Sequence, residues 1–332
     1  MALVTVLTAA RNAAPFLADA LGSIAAQTLN DWEHIVVDDA STDDTAAVIR
    51  RHAQADARFR VLTLEKSVGS YQAANIGAED ARGEYIARLD ADDMAEPRRL
   101  EVQIESLKRT GLAAGTGAWR AMDSDGSVEA RVRTVGTHSN RVLAWRLFLR
   151  SGLVHSTLLM RRSSFLSLGG YGNRPVAEDY RIWGRLVRSG ELDIVDEPLV
   201  RWRRHPGQVT AQPGARSQRD RLEVRVEHMK AMSTRTDWDE EDARDMWTVG
   251  ERSGLGMRHA FGLLETWRRA WESDASTCAA DREELTAIFL RTAAAHVRRN
   301  GLREPAFATW KAASLAGYAV RRPRAIVRAL SR

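Results

Sequence analysis

The stretch "EYIARLDADD", residues 84 to 93, is an apolar run that closes on three carboxylates, Asp90, Asp92 and Asp93, within four positions. A run of that length and composition reads as a buried strand that carries acid at its carboxyl end. Upstream, "LVTVLTA" (3 to 9), "EHIVVDD" (33 to 39) and "FRVLTLE" (59 to 65) are β-rich runs of the same kind. Helical patterns lie between them near 15 to 28, 43 to 55 and 69 to 81, and a further one follows at 97 to 109. Strands alternating with helices at this spacing predict an α/β fold with a mostly parallel sheet flanked by helices. In such sheets ligands bind beyond the carboxyl ends of the strands. Thr8, Asp38, Asp39, Asp90 and Asp92 all fall there.

The helix starts carry their own signals. Pro15 suits a first turn, Ser41 to Asp44 offer side-chain caps, and Pro97 opens the helix behind the acidic cluster. From about residue 112 the pattern changes to a hairpin with Asp125 and Gly126 in its turn, then a helix over 140 to 150. A strand near 155 to 161 follows, then a helix from Glu178 to Ser189 and two short strands around "LDIVD" and "PLVRW". Beyond "HPGQVTAQPGARSQ" the strand signal ends, and the chain reads as helices. The expected organisation is an α/β domain over residues 1 to 211 and a helical region over 212 to 332.

Composition bounds the rest. The chain has 332 residues, 44% hydrophobic and 28% charged, which suits a globular protein of one large domain plus an appendage. No apolar run approaches the roughly 20 residues of a membrane span, and "MALVTVLTAARN" has no basic lead-in, so the expected setting is the cytoplasm. Cys278 is the single cysteine, which excludes an internal disulfide and a thiolate metal cluster. Residues 1 to 210 hold 27 Lys and Arg against 27 Asp and Glu, and residues 211 to 332 hold 22 against 17, so the net charge of +5 belongs to the second part. It ends in "RRPRAIVRALSR", a basic arm that suggests peripheral contact of residues 310 to 332 with the inner face of a membrane rather than with nucleic acid, for which the aromatic spacing is missing.

Two acid pairs from different strands, Asp38 with Asp39 and Asp90 with Asp92, crowd one cleft, an arrangement that is unfavourable unless a cation offsets the repulsion. Oxygen ligands from few carboxylates suit Mg²⁺ or Mn²⁺, whose shells are completed by water and by a substrate's phosphates. The competing role for such residues is to make turns and cap helices, as Asp commonly does after strands.

At this point the sequence resembles the family-2 glycosyltransferases with the GT-A fold. The likeness covers about residues 3 to 210 and rests on "VTVLTAARNAAPFLADALGSIAAQT", "EHIVVDDASTDDT", "GEYIARLDADDMAEPRRL", "HSTLLMRRSSFLSLGGYG", "AEDYRIWGRLVRSG" and "RWRRHPGQVT", in that order. The resemblance implies that Thr8 and Asp39 contact the donor's base and ribose, that Asp90 and Asp92 form the D-x-D metal and diphosphate site, and that Asp179 is the catalytic base. It makes Arg203 and His205 an R-x-H element near the diphosphate and the metal. His155 stands where the family often has histidine on the acceptor side; Glu178 and Tyr171 join it there, Tyr171 as a ring that packs against a sugar. Two positions depart from the pattern: Ala74 replaces a usual arginine, and Arg11 a usual tyrosine.

The expected reaction is transfer of a sugar from a nucleoside-diphosphate sugar, a UDP-sugar foremost, to a hydroxyl of a saccharide or lipid-linked acceptor in glycan or glycoconjugate biosynthesis. A carboxylate facing the diphosphate across the sugar would deprotonate the acceptor, so displacement is in line and inverts the anomeric carbon. The alternatives are a sugar-phosphate nucleotidyltransferase, which would need a Gly-rich phosphate loop where "TAARNAAP" has none, and a non-catalytic basic protein, which leaves the front half unexplained.

Overall fold

The structure is a computed structural model and describes residues 2–136, 138–149, 152–172, 177–208, 215–233, 237–251 and 257–300. The basic tail beyond residue 300 lies outside the described residues. The backbone divides into two compact units, Met1–His138 with Gly152–Asp220, and Ser139–Ser151 with Arg221–Arg332.

The first unit starts with the predicted alternation: β1 (Val4–Ala10), α1 (Ala14–Ala25), β2 (Trp32–Asp38), α2 (Thr45–Ala55), β3 (Phe59–Thr63), α3 (Ser70–Glu79) and β4 (Tyr85–Arg88). A two-residue strand β5 (Met94–Ala95) and α4 (Arg99–Thr110) follow, then β6 (Ala114–Asp123) and β7 (Val128–Arg133) around the expected Gly126 turn. After α5 (Asn140–Arg146) come a 3-10 turn (His155–Thr157), β8 (Leu159–Arg161), α6 (Arg162–Ser167), α7 (Glu178–Ser189) and β9 (Leu192–Arg204). The sheet runs β3-β2-β1-β4-β8-β6-β9-β5, with β7 on β6. The four front strands are parallel, β8 is antiparallel to both neighbours, and β6 and β9 are parallel.

Parallel strands are covered on both faces and read as continuous apolar runs. β1, β2 and β4 are buried almost throughout, and Val4, Val6, Val36, Leu17, Leu21, Ile24, Ile49 and Leu100 pack one core between the sheet and its helices. Pro15 stands in the first turn of α1 as expected. Asp43, rather than the N-cap Asp44, satisfies the start of α2, accepting from Thr45 N at 2.9 Å and reaching Ala14 N at 3.2 Å, which ties two helix starts together.

Two sequence readings change. "LDIVD" and "PLVRW" are one strand, because Asp196 and Glu197 are taken up as a bulge against β6, where the register jumps from Val195 to Pro198 and on to Val200. Residues 155 to 157 form a helical turn rather than the start of a strand.

The second unit contains α8 (Ala215–Met232) from Arg221 onward, α9 (Glu240–Glu251), α10 (Met257–Ser273) and α11 (Ala279–Asn300), together with α5, which the sequence reading had assigned to the first domain. Trp145 on α5 is fully buried there; its Nε1 donates to Asp274 and its carbonyl accepts from Trp267 Nε1 at 2.9 Å. Trp145 is therefore core. Among the described residues no helix is long and apolar enough to cross a membrane.

Candidate active site

The acidic tip of β4 faces cations from the chain itself. Arg88, 4% exposed, extends Nη2 to within 2.7 Å of Asp90 Oδ1 and donates through Nη1 to the carbonyls of Leu7 and Leu89. Burial raises the Asp90 carboxyl, but Arg88, His155, the Ser156 hydrogen bond and Arg99 together outweigh it and the net displacement is downward. Asp93 is fully buried, and Ser156 Oγ donates to it at 2.5 Å while Arg203 N donates at 2.9 Å. Burial, with Asp92 and Asp90 close by, pushes Asp93 well above the usual carboxylate range. Burial and Asp90 raise Asp92 as well, against the pull of His205, whose Nε2 lies 2.9 Å from Asp92 Oδ2. Arg99, buried behind the cluster and bonded to the carbonyls of Arg88 and Leu158, is lowered to about 9 by burial and stays charged at neutral pH.

Arg203 reaches this site from the end of β9. Its Nε donates to Asp92 O at 2.8 Å, Nη1 to Ser124 O at 3.3 Å and Nη2 to Asp19 at 2.8 Å, and its guanidinium lies over the Phe16 ring. Those bonds make it the brace of the Asp92 turn. His205 is half-buried with its ring 4.6 Å from that of Phe16. The structure thus brings Asp90, Asp92, Arg203 and His205 together. Among the described residues no three carboxylates or imidazoles are gathered closely enough to form a metal cage by themselves.

His155 and Tyr171 join the same site. His155 Nδ1 lies 4.0 Å from Asp90 Oδ1 and Nε2 2.7 Å from the Tyr171 hydroxyl. Burial lowers the imidazole and raises the phenol, so His155 is neutral and Tyr171 keeps its proton. Tyr171 is only 2% exposed, enclosed by Phe165 and His155, and this corrects its expected role as a ring facing a sugar. Glu178 and Asp179 occupy the first turn of α7, behind Ala177 in a left-handed conformation with φ of 56°. Burial and the neighbouring Asp179, with Asp90 beyond, push Glu178 up to about 7. Asp179 accepts from Tyr180 N at 2.7 Å and is not the N-cap.

The residues expected to meet the donor nucleotide, Thr8 and Asp39, lie at the ends of β1 and β2. Asp39, buried, accepts from Ser67 Oγ and Val68 N at 2.7 Å and from Gly69 N at 3.0 Å, and Arg11 donates to the same Ser67 Oγ. Thr8, expected to meet the donor, is 1% exposed; its hydroxyl donates to Leu89 O and lies 2.9 Å from His34 Nε2. His34 is held down to about 3 by burial and is neutral. Thr8 therefore ties β1 to β4 from within the sheet and has no face toward a ligand.

Sequence reasoning missed Arg88, Arg99 and Ser156. The signal for Arg88 was present: a lone arginine inside the otherwise apolar "YIARLD" of a doubly covered strand must have a buried anion.

Such a mixed sheet with helices on its faces, acids gathered at its carboxyl edge, is the GT-A fold. Residues 5–169 match the family described as Glycosyl transferase family 2. EpsE of Bacillus subtilis (strain 168), which bears a glycosyltransferase name, is 32% identical over 196 residues, covering 56% of this chain and 67% of EpsE. The amylovoran biosynthesis glycosyltransferase AmsE of Erwinia amylovora is 25% identical over 174 residues, covering 52% of this chain and 65% of AmsE. In fold the chain is similar to residues 1-349 of S. aureus TarS in complex with UDP-GlcNAc, with a TM-score of 0.57 and 15% identity over 88% of this chain and 82% of the other. The chain belongs to glycosyl transferase family 2 and is a glycosyltransferase, which sets aside the nucleotidyltransferase and the non-catalytic basic protein.

Proposed function

We propose that the protein is a metal-dependent inverting glycosyltransferase that moves a sugar from a UDP-sugar to a hydroxyl of a saccharide or lipid-linked acceptor in glycan biosynthesis, on the cytoplasmic side of the membrane. The observation that carries this reading is the Asp92–His205 pair at 2.9 Å beside Asp90, set against the Glu178 and Asp179 pair. The UDP-GlcNAc complex of TarS supports a UDP donor, and the name of AmsE supports a biosynthetic role. Contact with a membrane through residues 310 to 332 falls outside the described residues.

The donor set fits a divalent ion. Two carboxylates and one imidazole are too few for a closed cage, and Asp90 is half-committed to Arg88, so a bound Mg²⁺ or Mn²⁺ would need diphosphate oxygens and water to complete its shell. Asp92, His205 and Asp90 would hold the ion, which when bound takes up charge on the departing diphosphate. The chain's own residues do the rest. Asp39 accepts an N–H of the base at Oδ1, beside the Val68 N–H that it already holds. Arg203 keeps Asp92 and its turn in place. Asp179 accepts the proton of the attacking hydroxyl, and Glu178, raised to about 7, is about half protonated at neutral pH, which eases repulsion beside it. Release of UDP from UDP-sugars with and without Mn²⁺ tests the reading: no release with any UDP-sugar in the presence of Mn²⁺ counts against it.

A further inference from the structure

One side chain links the nucleotide side of the site to the acceptor side without belonging to either. Asn75 lies in the middle of α3. Its Oδ1 accepts the Tyr171 N–H at 3.0 Å, and its Nδ2 donates to the Gly172 carbonyl at 3.1 Å and to Gln72 Oε1 at 3.4 Å. The turn it holds is built to come close. Gly170 adopts φ of +57°, and a Cβ there would lie 2.6 Å from Asn75 Oδ1, so both the backbone conformation and the space require glycine. From this turn Tyr171 packs edge-on against Phe165 and His155 and meets His155 Nε2, and His155 in turn faces Asp90.

The other end of α3 is attached as well. Its N-terminus hangs on Asp39 through the amides of Val68 and Gly69, and at 1.5 Å per residue Asn75 stands about 9 Å along the axis from Gly69. A single rigid helix therefore carries the Asp39 loop at one end and the 170–172 turn at its middle.

We propose that Asn75 is a positioning residue for sugar transfer: it fixes the 170–172 turn, and through Tyr171 the orientation of His155 against Asp90, while touching neither nucleotide nor acceptor. The inference rests on the acceptor-side role given above to His155, Glu178 and Asp179. Only a primary amide supplies a donor and an acceptor on one short planar group, so aspartate keeps the Tyr171 bond and loses the Gly172 bond, and alanine loses both.

The test uses the full chain with Asn75→Ala and Asn75→Asp. Hydrogen exchange without ligand is expected to show the amides of 170–172 exchanging at least tenfold faster in Asn75→Ala, with Asn75→Asp in between and the amides of α3 unchanged. UDP release from UDP-GlcNAc with Mn²⁺ is expected to lose at least tenfold in kcat while the donor KM stays within twofold, again with Asn75→Asp between. A purely structural asparagine would deprotect α3 together with the turn and shift KM and kcat in parallel; that result, or unchanged exchange at 170–172, overturns the proposal. A wild-type chain that releases no UDP from UDP-GlcNAc counts against that donor. The exchange experiment then decides alone: loss confined to the turn supports the clamp, and uniform or absent loss overturns it. Should Asn75→Ala fail to fold, Asn75→Asp carries both measurements.

Discussion

Arg88 and Asp90 lie two residues apart at the end of one strand and form an ion pair at 2.7 Å, with the guanidinium 4% exposed and the carboxylate about a third exposed. The cleft's first counter-charge is thus supplied by the strand that carries the acids. Truncating Arg88 to Met should leave Asp90 without its partner in partly buried surroundings. Buried pairs broken on one side lose about 3–5 kcal/mol, and the exposure of Asp90 brings the expectation down to about 2 kcal/mol. Urea denaturation measures it, and the Arg88→Met/Asp90→Asn double variant should recover part of the loss.

For Asp92→Ala we expect the Mn²⁺-dependent part of UDP affinity to disappear while the fold persists, since Asp92 is the carboxylate that meets His205 rather than an arginine side chain. Calorimetry with UDP, with and without Mn²⁺, checks this. Equal affinities for wild type and variant would remove Asp92 from the metal site.

Asp179→Asn keeps the shape of the first turn of α7 and removes the proposed base. Turnover should fall by about a hundredfold or more with UDP affinity retained. Near-normal turnover would leave Asp179 with a structural role only.

Glu178 gives a pH signature. Its folded-state value of about 7 lies above the ordinary 4.5, so between those values the native state holds a proton that the unfolded chain releases. Stability should therefore fall as pH rises from about 4.5 to 7 and level off above, with an amplitude of up to about 3 kcal/mol. Glu178→Gln should flatten that stretch and be more stable than wild type at pH 8 but not at pH 4. Parallel denaturation curves for the two proteins at every pH would show that Glu178 is not displaced.

What could be read from the sequence divides along physical lines. The four parallel strands were legible because burial on both faces leaves continuous apolar runs, and the acids at their ends stood out against them. β9 was split in two because Asp196, Glu197 and Pro198 look like a break, and only the β6 register shows that a bulge absorbs them. The placement of α5 among the helices that follow residue 220 depends on contacts such as Trp145 with Asp274, 129 residues apart, which no local pattern reports. In the site, residue types were legible and their commitments were not. Thr8 and Tyr171 have suitable chemistry for ligands, yet both are turned inward, because hydroxyls in a packed interior take the nearest acceptor or imidazole. The acids were read as waiting for a metal. Much of their counter-charge comes from Arg88 and Arg99, and His205 and Arg203 add hydrogen bonds to the same turn, from positions up to 113 residues away.

The two ends of the acidic cluster are completed at different moments in the life of the chain. Asp90 has its partner Arg88 two residues away in sequence, but Asp93 receives its N–H from Arg203, 110 residues later. Contacts of such sequence separation form late, because the intervening chain must be ordered first. A chain that stops before β9 carries Asp93 with only Ser156 to bond it, and β6 and β5 without the strand that pairs them. Arrival of the last strand is thus the step that completes both the sheet and the hydrogen bonding of Asp93.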